Sequence, residues 1–140
     1  MIPRPSPAAT RSSPVASAIL ALCAVGAMGA AVTAVPRVAA ADPAVQGAEL
    51  WRLVGYLTFA GLFLILARNP DQPALWAVTI ASKAALPLAA LTVIRAADEA
   101  STFLAVDGIV TVLLVTAYLL ARRARVGAPA VAAAREEVPA

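Results

Sequence analysis

The sequence predicts an all-α, polytopic membrane protein in which four transmembrane helices form an antiparallel bundle. First, the 140-residue chain is 61% hydrophobic and has a mean hydropathy of +0.84. Second, only 14% of its residues are charged, against about 25% in a typical soluble domain, and long stretches contain no charge. Third, no alternating pattern typical of strands is present. A chain this short could not bury so much apolar surface in a water-soluble core.

Four apolar segments define one predicted transmembrane domain over residues 14–121. The first segment has 21 residues and ends before Pro36. At about 1.5 Å per residue, it matches a hydrocarbon core of about 30 Å. The first connection, residues 37–49, is the longest, and the other two are short enough to force antiparallel hairpins. The predicted spans are residues 15–35, 50–67, 74–94 and 102–120.

The basic residues predict the orientation of the chain. With the N-terminus in the cytoplasm, seven arginines lie on the cytoplasmic side and three on the outer side. Because cytoplasmic segments are enriched in Lys and Arg, we expect both termini inside, in the cytoplasmic membrane. The arginine-rich, lysine-poor composition indicates a GC-rich bacterial genome. Residues 1–13 and 122–140 are predicted to be disordered cytoplasmic tails.

The first span has an alternative interpretation as a cleaved signal peptide. Arg4 and Arg11 would form its basic region, and Ala39–Ala41 would form a small-residue cleavage site before Asp42. The apolar segment is longer than the 7–15 residues usual in a signal peptide. Both a retained helix and a cleaved peptide stay open at this point.

Two charged residues lie deep inside the predicted spans, whereas Arg52 lies near the start of the second span. Lys83, the one lysine of the chain, lies near the middle of the third span, and Asp107 lies in the fourth. A charge at bilayer depth costs roughly 2.5–3.5 kcal/mol on insertion scales. Lys83 lies roughly 16 Å from the outer end of its span and Asp107 roughly 8 Å, a difference that a lysine stem can largely bridge. We therefore predict that the two side chains form a pair.

The local sequence around both residues adds two expectations. Pro87 follows Lys83 by four positions, so the Lys83 carbonyl lacks the amide that would normally bond it. Gly108 follows Asp107 and would let a neighbouring backbone come close. The pair could fix the register of the two helices, or it could form a proton, ion or ligand site.

A second group of charged residues is predicted at the outer surface, where it could line a mouth leading to Asp107 and Lys83. Solvated loop charges and surface ion pairs are the alternative interpretation, since such pairs contribute little individually. The members of this predicted outer rim are Glu49, Arg52, Arg95, Asp98 and Glu99.

Several classes of function find no support in the sequence. Histidine is absent and Cys23 is the one cysteine, which excludes an intrachain disulfide, a His-ligated metal and a Ser-His or Cys-His nucleophile pair. No phosphate-binding loop, dinucleotide fingerprint or metal-ligand spacing is present. We therefore expect no enzyme activity, no metal or other cofactor and no nucleic-acid partner.

The stretch GLFLILARNPDQPALW, residues 61–76, leads into the helix that contains Lys83 and Pro87. Together with four spans, tight hairpins and one charged residue in each of the last two spans, it resembles the DoxX-like group of small bacterial membrane proteins over residues 50–121. The resemblance implies a bundle with an accessory or redox-linked role. The size of the chain is similar to that of small multidrug-resistance transporters, but those rely on a glutamate in the first span, where this chain has no acid.

These observations predict an integral membrane protein that acts as a non-enzymatic accessory subunit or as a small-ligand-binding bundle around Lys83 and Asp107. The alternative is a small proton- or cation-coupled transporter that works as an oligomer. The expected surroundings are the lipid bilayer and either a membrane-protein partner or further copies of the chain.

Overall fold

The computed structural model describes residues 13–95 and 100–136, with side chains described as far as residue 126. The chain forms an all-α bundle of four helices, as predicted. Helix α4 covers residues 100–136 and has three parts: an α-helical turn Ala100–Thr102, a π-helical turn Phe103–Asp107 and the α-helix Gly108–Glu136. The first three helices are α1 (Pro14–Ala40), α2 (Pro43–Arg68) and α3 (Pro73–Thr92).

Proline marks the start of each of the first three helices. Pro14, Pro43 and Pro73 occupy the first helical positions, where the missing amide has no partner to lose and the fixed φ already suits a helix. Ser13 additionally caps α1, because its side-chain oxygen accepts a hydrogen bond from the Ala16 amide at 3.3 Å. The helix starts are therefore encoded locally.

The predicted first connection, residues 37–49, is wrong. Helix α1 continues through Pro36 to Ala40, and α2 begins at Pro43, so that two residues remain between the helices. Pro36 is exposed near the end of α1. Its missing amide costs one hydrogen bond and leaves the Val32 carbonyl without its usual helical partner.

Helix α4 continues to Glu136, beyond the predicted end of the fourth span at residue 120, and the disorder predicted for the tail at 122–140 stays a prediction. Alanine and arginine in residues 122–136 favour a helix, whereas Gly127 and Pro129 disfavour one. Residues 122–136 also extend a helix that already exists, so no new nucleus is needed. The other predicted tail is residues 1–13, of which residue 13 caps α1. Residues 1–12 and 137–140 lie outside the described part of the chain.

The helices are arranged around the bundle in the order α2, α1, α4, α3. Helix α1 packs along α2 and against α4, and α3 packs against α4, whereas α2 and α3 approach each other much less. A core of large apolar side chains fills the interior near one end of the bundle. Its main members are Leu20 from α1, Phe63 and Leu66 from α2, Trp76 from α3 and Leu114 from α4.

Polar contacts join the helices at this same end of the bundle. The Ser17 hydroxyl of α1 donates to the Ala67 carbonyl of α2 at 3.2 Å. The Trp76 indole donates to the Pro70 carbonyl at 3.0 Å, and its ring packs against Tyr118 with centroids 5.5 Å apart. These contacts fix the relative heights of α3 and α4.

The outside of the bundle is apolar. Large aliphatic side chains on every helix are exposed, among them Leu22, Leu64, Val78 and Val112. Each of the four helices is long and apolar enough to cross a membrane, with the fourth candidate span at Ala100–Val126. An apolar exterior around an apolar core is the arrangement of a multi-pass membrane protein.

Candidate functional site: a buried ion pair between α3 and α4

Lys83 of α3 and Asp107 of α4 are in direct contact. The Lys83 Nζ donates a hydrogen bond to Asp107 Oδ1 at 2.8 Å, and the two side chains are 11% and 12% exposed. The contact that the sequence predicts is therefore present. Whether the pair has a functional role stays a prediction.

The heights of the two residues explain why the lysine stem extends along the bundle. Trp76 and Tyr118 pack together and provide a common level on α3 and α4. From that level, Lys83 lies seven residues along α3, or about 10 Å. Asp107 lies eleven residues back along α4, or about 16 Å. The flexible lysine side chain spans the difference, whereas a short basic side chain could not.

The ammonium of Lys83 also contacts an aromatic ring. Its Nζ lies 4.1 Å from the centroid of the Phe59 ring of α2, a geometry in which the ring face attracts the cation. Phe59 in turn packs against Phe63 with ring centroids 6.0 Å apart. Sequence reasoning missed Phe59, because nothing in the sequence shows which of several apolar residues on α2 faces a lysine on another helix.

Cys23 of α1 is buried in the core of the bundle. Lys83 of α3 contacts Asp107 of α4 and Phe59 of α2 through its ammonium, although α2 and α3 have little backbone contact. The ammonium therefore joins three of the four helices.

The backbone is irregular beside both members of the pair. Asp107 ends the π-helical turn Phe103–Asp107, and the Thr111 hydroxyl donates to the Asp107 carbonyl at 2.6 Å. Pro87 is buried within α3 and provides no amide for the Lys83 carbonyl. Isolated π-turns are frequent at functional sites. The expected close approach of a backbone to Gly108 is wrong, since nothing lies within 4 Å of the position that a Cβ would take there.

Thr79 lies one turn before Lys83 on the same buried face of α3. It is fully buried, and its hydroxyl has no hydrogen-bond partner among the described residues. Five helical threonines elsewhere in the described chain donate to a carbonyl of their own helix, which is the usual solution. Those threonines are Thr33, Thr58, Thr92, Thr111 and Thr116. The orientation of the Thr79 hydroxyl therefore sets it apart.

The structure describes part of the predicted outer rim. Glu49 and Arg52 form an ion pair at 2.8 Å on one face of α2. The second carboxylate oxygen of Glu49 is buried without a hydrogen-bond partner in the described chain. Arg95 is exposed after the end of α3, and Asp98 and Glu99 lie in the range 96–99, outside the described residues. A common mouth formed by the five residues stays a prediction.

Comparisons with known proteins add no relative to this description. No protein-family model, curated protein or solved structure matches the chain. The resemblance to the DoxX-like group stays a prediction.

The chemistry available to the site is limited and specific. The pair is electrically neutral as a unit, and each charge is satisfied by a group of the same chain. Within residues 13–95 and 100–126, no group of three or more His, Cys, Asp or Glu side chains is placed to hold a metal ion. The arrangement can hold two helices together, and it can exchange a proton between a carboxylate and its surroundings.

Proposed function

We propose that the chain is a multi-pass protein of the cytoplasmic membrane that serves as a non-enzymatic accessory subunit, with both termini on the cytoplasmic side. The observation that supports this proposal best is the 2.8 Å contact between Lys83 and Asp107. Two charges that neutralise each other inside one chain leave little for a small ligand to bind. We therefore favour the accessory subunit over the ligand-binding bundle.

In this role the ion pair fixes α3 on α4. Apolar packing alone gives weak specificity in a bilayer, because lipid tails are as apolar as the side chains that compete with them. A polar pair that can form in one register removes that ambiguity. The exposed apolar surface of the correctly registered bundle is then available to the helices of a partner.

Co-purification tests the accessory role. A tagged chain is produced at low level in its native host and extracted in a mild detergent, and its complexes are analysed by mass spectrometry. We expect a partner in fixed stoichiometry with the wild type and with a Lys83→Leu/Asp107→Leu double variant, which leaves no lone charge. Recovery of the wild-type chain alone or only as a homo-oligomer, across several mild detergents, counts against the proposal.

A proton- or cation-coupled transporter is the second candidate. The observation that favours it is the position of Asp107 at the end of a π-helical turn, opposite the proline-interrupted α3. Protonation of Asp107 would release the Lys83 ammonium and change how α3 packs on α4. Proteoliposomes of the purified chain would then support coupled uptake that Asp107→Asn abolishes. The accessory-subunit proposal predicts no uptake by either protein.

A further inference from the structure

A basic surface on α4 lies just beyond the contact between Trp76 and Tyr118. Leu119, Arg122, Arg123 and Val126 line a shallow pocket of about 480 Å³ on the surface of the bundle. Their spacing of three, four and seven residues places them on one face of the helix. Leu119 and Val126 are 46% and 70% exposed, so the pocket combines apolar side chains with two guanidinium groups.

The two arginines of this pocket differ from their neighbour Arg125. Arg125 is paired with Asp71 of the turn between α2 and α3 at 3.2 Å. Arg122 and Arg123 are exposed and make no ion pair with any residue whose side chain the structure describes. The pocket therefore presents two adjacent positive charges without an acidic partner among the described side chains. Arg125, whose charge is paired with Asp71, provides a comparison on the same helix.

The position of the pocket along the bundle corresponds to the edge of a membrane. Tyr118 packs on Trp76, whose indole donates to the Pro70 carbonyl in the turn between α2 and α3. Tryptophan and tyrosine are enriched at the membrane–water interface. Arg122 lies about 6 Å further along α4 than Tyr118, which is headgroup depth for a helix that spans the bilayer.

We propose that Arg122 and Arg123 bind the phosphate of an anionic phospholipid, with Leu119 facing its acyl chains and Val126 closing the pocket on the opposite side. A guanidinium group offers two parallel donors to phosphate oxygens, which makes arginine the preferred residue for bidentate phosphate recognition. The inference rests on the proposed membrane location of the chain. It does not depend on the role of Lys83 and Asp107 or on which leaflet contains the pocket.

Native mass spectrometry of the full chain in a mild detergent tests this site. Phosphatidylglycerol and phosphatidylcholine with the same acyl chains are the probes, and Arg122→Gln and Arg123→Gln are compared with the matched control Arg125→Gln. We expect the wild type and the control to prefer phosphatidylglycerol. The affinity for that lipid should fall roughly fivefold for each pocket arginine removed, with phosphatidylcholine binding unchanged.

Three results would overturn the assignment. Equal binding of both lipids by the wild type would show that no anionic site exists. An equal loss in the control would show that the effect is general charge attraction. Displacement of phosphatidylglycerol by inorganic phosphate at constant ionic strength would show a free-phosphate site instead.

Two features of the design keep the result clear. Detergent micelles have no sidedness, so the outcome does not depend on the orientation of the chain, and the partner test is made on chains that keep both arginines. If a glutamine variant fails to fold, Arg122→Lys and Arg123→Lys replace it. They keep the charge and remove bidentate binding, so a partial loss of affinity supports the proposal and an unchanged affinity contradicts it.

Discussion

Removing one member of the Lys83–Asp107 pair is expected to destabilise the bundle far more than removing both. The single variants are Lys83→Leu and Asp107→Leu, and the third protein combines them. Each single change leaves a charge with nearly nine-tenths of its side chain buried, which typically costs about 3–5 kcal/mol. The double change leaves apolar side chains in an apolar interior and is often neutral or stabilising for such pairs.

These values predict a coupling energy of several kcal/mol between the two sites. The pair between Arg125 and Asp71 is the matched control, since its side chains are 30% and 39% exposed at a distance of 3.2 Å. Exposed pairs contribute about 0–1 kcal/mol. The corresponding cycle with Arg125→Gln and Asp71→Asn should therefore show a coupling energy below about 1 kcal/mol.

Reversible unfolding in mixed micelles gives the required free energies. Circular dichroism reports the helices, and fluorescence in a Trp51→Phe background reports the buried Trp76. Additive losses in the Lys83 and Asp107 variants would refute the reasoning, because two groups that stabilise each other cannot be removed independently. A coupling energy no larger than that of the surface control would refute it equally.

Three further outcomes are expected. Phe59→Leu should lower the free energy of unfolding more in the wild type than in a Lys83→Leu background, by about 0.5–2 kcal/mol, because only the wild type has the cation–ring contact to lose. Equal losses in the two backgrounds would show that this contact contributes nothing. Thr79→Val should leave the unfolding midpoint unchanged or raise it, because no described residue provides a partner for the hydroxyl and desolvation costs about 1–3 kcal/mol. The exposed Thr116→Val serves as the control, and a loss specific to Thr79 would contradict the prediction. The mature protein should retain α1, which provides part of the buried core, so Edman sequencing that begins at Asp42 would establish cleavage instead.

The ends of the helices show where local sequence is sufficient and where it is not. Pro14, Pro43 and Pro73 begin helices, because the conformational restriction of proline acts within its own turn. Hydropathy located the four apolar segments, but it did not give the residues at which the helices end. It measures partition into lipid, whereas the backbone continues as a helix into water as long as its hydrogen bonds remain satisfied.

Some residues of the site are likewise evident from the sequence, whereas others are not. Lys83 and Asp107 are evident in the sequence because an isolated charge in an apolar segment is costly in any fold of that segment. Phe59 could not be chosen, because many apolar residues share its helix and the choice depends on helix rotation. The Thr79 hydroxyl was equally hidden, since most threonines in helices bond to their own backbone.

The sequence by itself determined the membrane-type composition, the four apolar helices and the two costly charges, because each follows from the partition energies of consecutive residues. The tertiary structure decided the order of the helices around the bundle, the contact of the Lys83 ammonium with a ring on α2, and the π-helical turn that ends at Asp107. Those features depend on the rotation and relative height of helices that are distant in sequence. Apolar side chains of similar size give nearly equal energies in many such arrangements, and it is the packing of the assembled bundle that selects one.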